Sequence, residues 1–263
     1  MQILTKGTDL RAFFESLERS EGRLLMLDYD GTLSPYRIER DKAVPYPGIR
    51  EILAELLSAA DCRTVIISGR SIKDILSLLG IGSGVEIWGC HGWERMGPTG
   101  DYTGPDLDDD QKAALGEAAE SATSDGLGER LEVKTACVAI HWRGLGETET
   151  AELLRTIGRK WEAIAERTGM NLNEFNGGME MRPAGMDKGM VVDRLLSESV
   201  GPAAYLGDDL TDEDAFRAIS GRGIGILVGS ELRETAADVW LAPPEELIWF
   251  LGRWIEKCGK AHE

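Results

Sequence analysis

The sequence is poor in basic residues. Its 263 residues include 29 Lys and Arg against 46 Asp and Glu, which gives a formal net charge of −17. Such a charge repels nucleic acid and anionic membrane surfaces, so we expect neither as a partner. Long apolar runs are also missing, because stretches such as residues 24–27 fall far short of the roughly 20 residues that a membrane helix needs. The first ten residues lack a basic segment followed by an apolar run, so no secretory signal is expected.

Cysteine is scarce and scattered. Cys62, Cys90, Cys137 and Cys258 lie far apart, and no two of them form a CxxC pair. This spacing argues against a disulfide framework and a zinc cluster, and it is typical of reduced thiols in a cytosol. We therefore predict a cytoplasmic protein.

What the sequence does contain is an alternation of short apolar runs and amphipathic stretches, the pattern of βα units on a parallel sheet. Strands are predicted at 24–27, 64–67, 203–206 and 224–228, and helices at 47–60, 71–79, 188–198 and 211–219. The pattern is interrupted by a segment with a predicted strand at 131–142, a long helix near 148–167 and a strand at 179–182. We predict an α/β core formed by residues 1–95 and 186–263, with an inserted α+β domain at 96–185.

Two carboxylates follow the first predicted strand. Asp28 and Asp30, in the run DYDGTL, stand at the carboxyl end of that strand, where open α/β sheets bind ligands. Their mutual repulsion is tolerable chiefly beside a cation, and oxygen ligands favour Mg²⁺ or Ca²⁺. A solvated acidic turn is the simpler alternative. An EF-hand loop is disfavoured, because Leu33 stands where that loop requires glycine.

Polar residues also stand at the beginning of two predicted helices. Ser68 precedes a predicted helix and could bind phosphate with the helix amides, although a serine there is most often only an N-cap. Lys188 begins another helix, where its positive charge opposes the helix dipole. That unfavourable placement indicates a functional role, with a solvated lysine as the alternative.

The run GDDLTDED at 207–214 concentrates acids behind the third predicted strand. Residues 211–214 could form an ordinary capped first turn of a helix. Helix capping does not account for Asp208 and Asp209, which precede that turn, so we predict that they have another role.

In their order and placement, these four motifs resemble those of the haloacid dehalogenase superfamily. The run GDDLTDEDAF at 207–216 and the segments around His91, Lys134 and Glu180 are more similar to the trehalose-6-phosphate phosphatases of that superfamily. The resemblance covers nearly the whole chain. It implies a Rossmann-like core with a parallel sheet, an inserted cap domain of the C2 type that selects the substrate, and Mg²⁺ as the cofactor.

The resemblance also implies roles for individual residues. Asp28 is the expected nucleophile, Asp30 the acid and base, and Ser68 and Lys188 hold the phosphoryl group. The expected metal ligands are Asp28, the backbone carbonyl of Asp30 and Asp208, supported by Asp209 and Asp212. The expected substrate-binding residues are Gly69, Arg70, His91, Lys134, His141, Arg143 and Glu180.

The implied reaction is hydrolysis of a phosphorylated disaccharide, trehalose 6-phosphate, through an aspartyl phosphate. The alternatives are another capped enzyme of the superfamily, such as a sucrose-phosphate or glycosylglycerate phosphatase or a phosphomannomutase, and a non-catalytic sugar-phosphate binding module. The run NGGM at 176–179 lacks the basic residue expected there, which leaves the second sugar open. The sequence gives no basis for or against association with a separate sugar-phosphate synthase.

Overall fold

The computed structural model describes residues 1–59, 61–81 and 84–258. The chain divides into two compact units, of which the first combines Met1–Thr103 with Asp187–Glu263 and the second is Gly104–Met186. The insert therefore begins eight residues after the predicted limit at 96, because the strands that lie between 94 and 103 belong to the sheet of the first unit. Its end at Met186 lies one residue after the predicted limit at 185.

The described residues form strands and helices with the following bounds. The strands are β1 (Gln2–Ile3), β2 (Arg23–Leu27), β3 (Cys62–Ile67), β4 (Glu86–Gly89), β5 (Glu94–Met96), β6 (Tyr102–Thr103), β7 (Leu131–Val133), β8 (Val138–His141), β9 (Asn171–Phe175), β10 (Gly178–Arg182), β11 (Ala203–Gly207), β12 (Ile224–Val228) and β13 (Val239–Leu241). The helices are α1 (Leu10–Arg19), α2 (Ile49–Ser58), α3 (Ile72–Leu79), α4 (Asp109–Ser124), α5 (Glu147–Leu153), α6 (Arg159–Thr168), α7 (Lys188–Glu198), α8 (Glu213–Ile219) and α9 (Glu245–Cys258).

The sheet of the first unit positions the candidate site. Within the described residues its strand order is β1-β13-β12-β11-β2-β3-β4-β5-β6, and the six strands from β13 to β4 are parallel. β2 and β11 are buried along their whole length, as expected for strands with helices on both faces. β2 lies between β11 and β3, so the loops that carry Asp28, Ser68 and Asp208 leave the same edge of the sheet.

The second unit has an antiparallel sheet of order β7-β8-β10-β9. The single strand predicted at 131–142 is wrong, because residues 134–137 turn and the Lys134 amide donates to the Cys137 carbonyl at 2.8 Å. The helix predicted near 148–167 is α5 and α6, joined by a π-helical turn at Leu154–Gly158. Among the helices of the described residues, none is long and apolar enough to cross a membrane.

Candidate active site

Asp28 occupies the carboxyl end of β2, and the core fixes its position. Its amide donates to the Leu206 carbonyl of β11 at 2.8 Å, which continues the ladder between the two central strands. The residue is 3% exposed. A buried carboxylate is strongly destabilising unless cations or hydrogen bonds compensate its charge.

Lys188 provides that compensation. Its Nζ lies 2.8 Å from Asp28 Oδ1 and 2.6 Å from Asp212 Oδ1, and the lysine is 3% exposed. Asp187 caps α7 by accepting from the Met190 amide at 2.8 Å, which sets the first turn that projects Lys188 toward Asp28. The lysine at a helix start, unfavourable for the dipole, is therefore explained by two buried ion pairs.

Asp208 and Asp212 complete an acidic group with Asp28. One carboxylate oxygen from each of the three lies within 4.8 Å of the others. Asp212 Oδ2 also accepts from the Asp208 and Asp209 amides, both at 2.9 Å, so it folds the loop behind β11 around itself. Asp212 was expected to support the metal ligands from outside, but its carboxylate lies within the acidic group itself. Asp209 accepts from the Leu210 amide at 2.7 Å as the N-cap of a short 3₁₀ turn, so the prediction that capping does not account for it is wrong.

Three residues that the sequence analysis missed hold this acidic group. The Tyr36 hydroxyl donates to Asp208 Oδ2, and the Tyr205 hydroxyl donates to Asp212 Oδ1. Arg233 donates to the carbonyls of Asp208 and Asp209, at 3.2 and 2.8 Å. The available signals were weak: Tyr36 follows the first acidic motif closely, Tyr205 lies inside an apolar strand, and Arg233 is in a loop.

Gly31 allows the loops after β2 and β11 to meet. Its φ of +81° is in the left-handed region, and a Cβ at this position would lie 2.1 Å from Asp208 Oδ2. Any other residue would therefore be strained and would displace the Asp208 carboxylate.

The electrostatics of the group follow from burial. Burial raises the pKa of Asp28 to about 7, although the Lys188 ammonium pulls it down. The pKa of Asp208 is raised well above its usual range by burial and by the charges of Asp28 and Asp212. Burial opposes ionisation of Asp212 as well, but the charge of Lys188 and the hydrogen bonds from Lys188, Tyr205 and the Asp209 amide together outweigh it and lower the pKa of Asp212.

The acidic group fits a divalent cation. Asp208 Oδ1 is buried and makes no hydrogen bond to any described residue, and the group presents three carboxylates to one ammonium. Carboxylate oxygens are the ligands of hard divalent ions, which would relieve the repulsion between Asp28 and Asp208. The donor set therefore suits a divalent metal.

The Asp30 carboxylate is paired with Arg70. The Arg70 guanidinium donates from Nε to Asp30 Oδ2 at 2.6 Å and from Nη2 to Asp30 Oδ1 at 2.7 Å. A bidentate pair of this kind fixes the plane of the carboxylate. Arg70, predicted to bind substrate, thus holds the side chain of Asp30.

Ser68, Gly69 and His91 lie together behind β3 and β4. The His91 amide donates to the Ser68 carbonyl at 2.9 Å, and the His91 ring lies against Gly69. Ser68 is buried, and its hydroxyl accepts from the Arg70 amide at 3.2 Å. The N-cap of α3 is Ser71, which accepts from the Asp74 amide, so the alternative that Ser68 is merely an N-cap is wrong.

The second unit has its own partly buried polar cluster on one face of its sheet. Lys134 Nζ lies 3.0 Å from Glu180 Oε2 and 3.4 Å from Glu132 Oε2, and His141 Nε2 lies 3.1 Å from Glu132 Oε2. Three of the predicted substrate residues are thus brought together, joined by Glu132. Such a cluster of donors and acceptors can recognise hydroxyl groups.

Arg143 is held by the turn that precedes β10. Its guanidinium donates twice to the Asn176 carbonyl, at 3.1 and 2.7 Å. Gly177 has a φ of +84°, and a Cβ there would lie 2.3 Å from Arg143 Cγ. The glycine-rich run before Glu180 is therefore the turn between β9 and β10, on which Arg143 packs.

The sheet topology and the acidic strand ends define the fold of a haloacid dehalogenase-like hydrolase. One solved structure of this kind, from Bacteroides thetaiotaomicron, matches with a TM-score of 0.63 at 16% identity, over 88% of this chain and 99% of that one. The C-terminal domain of C. albicans trehalose-6-phosphate phosphatase matches with a TM-score of 0.81 at 21% identity, over 97% and 99% of the two chains. The predicted fold class is confirmed.

Sequence comparison identifies the family of hydrolases to which the chain belongs. The chain belongs to the trehalose-phosphatase family, whose model matches residues 26–240. Among curated relatives, the probable trehalose-phosphate phosphatase H of Arabidopsis thaliana is 31% identical over 94% of this chain and 76% of its own length. The family resemblance predicted from the motifs is confirmed.

The raised pKa of Asp28 predicts how stability depends on pH in protein freed of metal. The native state keeps a proton on Asp28 up to about pH 7, whereas the unfolded chain loses it near 3.8. The free energy of unfolding should therefore fall as the pH rises from about 4 to about 7, and Asp208 acts in the same direction. In Asp28→Asn this fall should shrink by on the order of 1 kcal/mol or more, as measured by urea unfolding in EDTA.

The control for this comparison is Asp41→Asn, which removes a solvent-exposed carboxylate of the same unit. Its stability should follow that of the unmodified protein across the range. Parallel curves for Asp28→Asn and the unmodified protein would contradict the raised pKa that burial gives Asp28.

Proposed function

We propose that this chain hydrolyses trehalose 6-phosphate to trehalose and phosphate through an aspartyl phosphate on Asp28. The observation that carries the proposal is the buried Asp28, paired with Lys188 and grouped with Asp208 and Asp212, in a member of the trehalose-phosphatase family. A carboxylate that is buried, oriented and adjacent to a cation is suited to attack phosphorus.

Mg²⁺ is the proposed cofactor. Asp28, Asp208 and the backbone carbonyl of Asp30 would hold it, and the buried Asp208 Oδ1 without a hydrogen bond to the described residues supports this assignment. When bound, the ion neutralises charge on the phosphoryl group and on the surrounding carboxylates.

The chain's own residues perform the proposed transfer. An oxygen of Asp28 attacks phosphorus, and the bond between phosphorus and the sugar oxygen breaks. Lys188 has three N–H donors, of which Asp28 and Asp212 use two, so the third is available to an oxygen of the phosphoryl group. Ser68 is the second proposed contact to the phosphoryl group.

Asp30 is the proposed acid and base. It gives a proton to the departing sugar oxygen, and then takes one from the water that hydrolyses the aspartyl phosphate. Arg70 donates one hydrogen bond to each oxygen of Asp30, and each oxygen keeps a second lone-pair site for the reacting group. Arg70 is thus proposed as a positioning residue, and Gly69 and His91 as parts of the phosphate-binding loop.

The second unit is the proposed cap domain, which recognises the sugar. The cluster of Lys134, Glu180 and His141 supports this role because Glu180 is buried, the other two are partly buried, and all three are paired, as expected of a preformed polar surface. Arg143 contributes by holding the adjacent turn.

The proposal is tested by measuring phosphate release from a panel that includes trehalose 6-phosphate, sucrose 6-phosphate and hexose phosphates. We expect trehalose 6-phosphate to be the best substrate, EDTA to abolish turnover and Mg²⁺ to restore it. Asp208→Asn should lose the response to Mg²⁺. Isomerised sugar phosphate would indicate a mutase, absence of turnover a binding module, and full activity without metal would refute the metal assignment.

Asp30→Asn should separate the two chemical steps. The amide keeps the backbone carbonyl but removes the acid, so turnover of the sugar phosphate should fall by about 10²- to 10⁴-fold. The phenolate of p-nitrophenyl phosphate departs without a proton, so this substrate should still phosphorylate Asp28. Rapid mixing should then show a burst of one nitrophenol per site, with the adduct located by mass spectrometry. Near-normal turnover of the sugar phosphate would exclude Asp30 from proton transfer.

Charge-removing changes in the second unit should affect only the sugar substrate. Lys134→Met or Glu180→Gln should lower kcat/KM for trehalose 6-phosphate by about tenfold or more, because contacts to sugar hydroxyls are lost. Activity toward p-nitrophenyl phosphate, which has no sugar, should change little. The matched control is Lys160→Met, which breaks the solvent-exposed ion pair with Asp125 in the same unit. Equal losses on both substrates would contradict a sugar-binding role.

A further inference from the structure

A thiol pair lies at the end of the sheet opposite the candidate active site. Cys62 is the first residue of β3, whereas Ser68 follows the last residue of that strand. Cys258 ends α9 one helical turn after Trp254, and the Trp254 indole donates to Cys62 Sγ, so this end of α9 lies against Cys62. All four cysteines are reduced in the structure, and nothing in the proposed hydrolysis uses this pair.

Arg23 stands beside the pair with unused donors. It begins β2 and lies opposite Cys62 in the parallel register. The residue is 2% exposed, and only its Nε has a described acceptor, the Leu17 carbonyl at 2.7 Å. Nη1 and Nη2 are buried and make no hydrogen bond within the described residues. A buried guanidinium with unused donors is costly unless a negative or strongly accepting group comes to meet it.

The surroundings of the two sulfurs differ in a way that assigns their order of reaction. The Trp254 indole donates to Cys62 Sγ at 3.1 Å, and Thr64 Oγ1 lies 3.6 Å from it. The hydrogen bond from Cys258, together with those from Trp254 and Thr64 and the charge of Arg23, lowers the pKa of Cys62 to about 7 despite its burial. The hydrogen bond to Cys62, burial and the Cys62 thiolate charge raise the pKa of Cys258. Cys62 is half-buried, so a small oxidant can reach it.

We propose that Cys62 and Cys258 form a peroxide-sensitive dithiol, in which Cys62 is oxidised first and Cys258 resolves it to a disulfide beside Arg23. The Cys62 thiolate attacks one oxygen of hydrogen peroxide, the O–O bond breaks, and the hydroxide that leaves is protonated to water. The Cys258 sulfur then attacks the Cys62 sulfenic acid, the S–O bond breaks, and a second water leaves. In total, two thiols and one peroxide give one disulfide and two waters.

The first test treats the full-length protein with hydrogen peroxide and measures its intact mass. We expect loss of the mass of two hydrogen atoms per chain, reversal by dithiothreitol, and one cross-linked peptide pair containing Cys62 and Cys258. Cys90→Ser and Cys137→Ser are matched controls and should leave this result unchanged. Retention of all four thiols, or a disulfide between other cysteines, would overturn the proposal.

The second test separates the roles of the two sulfurs. In Cys258→Ser the sulfenic acid cannot be resolved, so dimedone should label Cys62. In Cys62→Ser, Cys258 should resist peroxide. Dimedone labelling of Cys258 in unmodified protein before Cys62, or oxidation of Cys258 in Cys62→Ser as fast as oxidation of Cys62 in Cys258→Ser, would overturn the assigned order.

The third test concerns Arg23, whose role is that of a positioning residue. At pH 6 the reaction rate follows the thiolate fraction, which falls about tenfold for each unit by which the thiol pKa rises. Arg23→Met should therefore slow peroxide oxidation of Cys62, whereas Arg23→Lys, which keeps the charge, should slow it less. Circular dichroism checks that both variants fold. Equal rates in the unmodified protein and in folded Arg23→Met would overturn the role of Arg23, and unchanged phosphatase activity in Cys62→Ser would separate this site from the catalytic one.

Discussion

The candidate site depends on one buried ammonium between two buried carboxylates. Lys188 contacts Asp28 and Asp212 from the start of α7, and these three residues come from segments that are far apart in the sequence. Removing the lysine would leave buried carboxylates without their cation, and breaking a buried pair in this way typically costs about 3–5 kcal/mol. The triad therefore fixes the end of β2, the start of α7 and the loop after β11 relative to one another.

The same arrangement leaves part of the charge uncompensated, and this is a functional feature. One lysine pairs with both Asp28 and Asp212 and balances only one of their two charges, while Asp208 is held by the neutral hydroxyl of Tyr36 and by no described cation. A divalent ion bound there would relieve the repulsion that contributes to the raised pKa values of Asp28 and Asp208. Tyr36, Gly31 and Arg233 matter because they keep Asp208 in that unfavourable position rather than letting it turn to solvent.

Much of the core was predictable because hydrophobic runs and helix starts are local signals. The strand at 224–228 and the helix at 188–198 have the predicted bounds, and Lys188 was identified by its unfavourable place at a helix start. The partners of the acids were not predictable, since Tyr36, Tyr205 and Arg233 reach them through tertiary contacts. The hairpin at 131–142 was missed because its turn, KTAC, contains neither glycine nor proline.

The role of Asp209 shows why the individual roles of neighbouring acidic residues cannot be assigned from their spacing alone. Asp208, Asp209 and Asp212 all lie in one loop, yet each uses its carboxylate differently. Asp209 caps the 3₁₀ turn, Asp212 accepts two backbone amides and Lys188, and Asp208 keeps a buried oxygen without a described donor. The cap formed by Asp209 and the hydrogen bonds from backbone amides to Asp212 hold the loop in a tight turn. That closure holds Asp208 against the Gly31 backbone, where its unpaired oxygen is available to a metal ion.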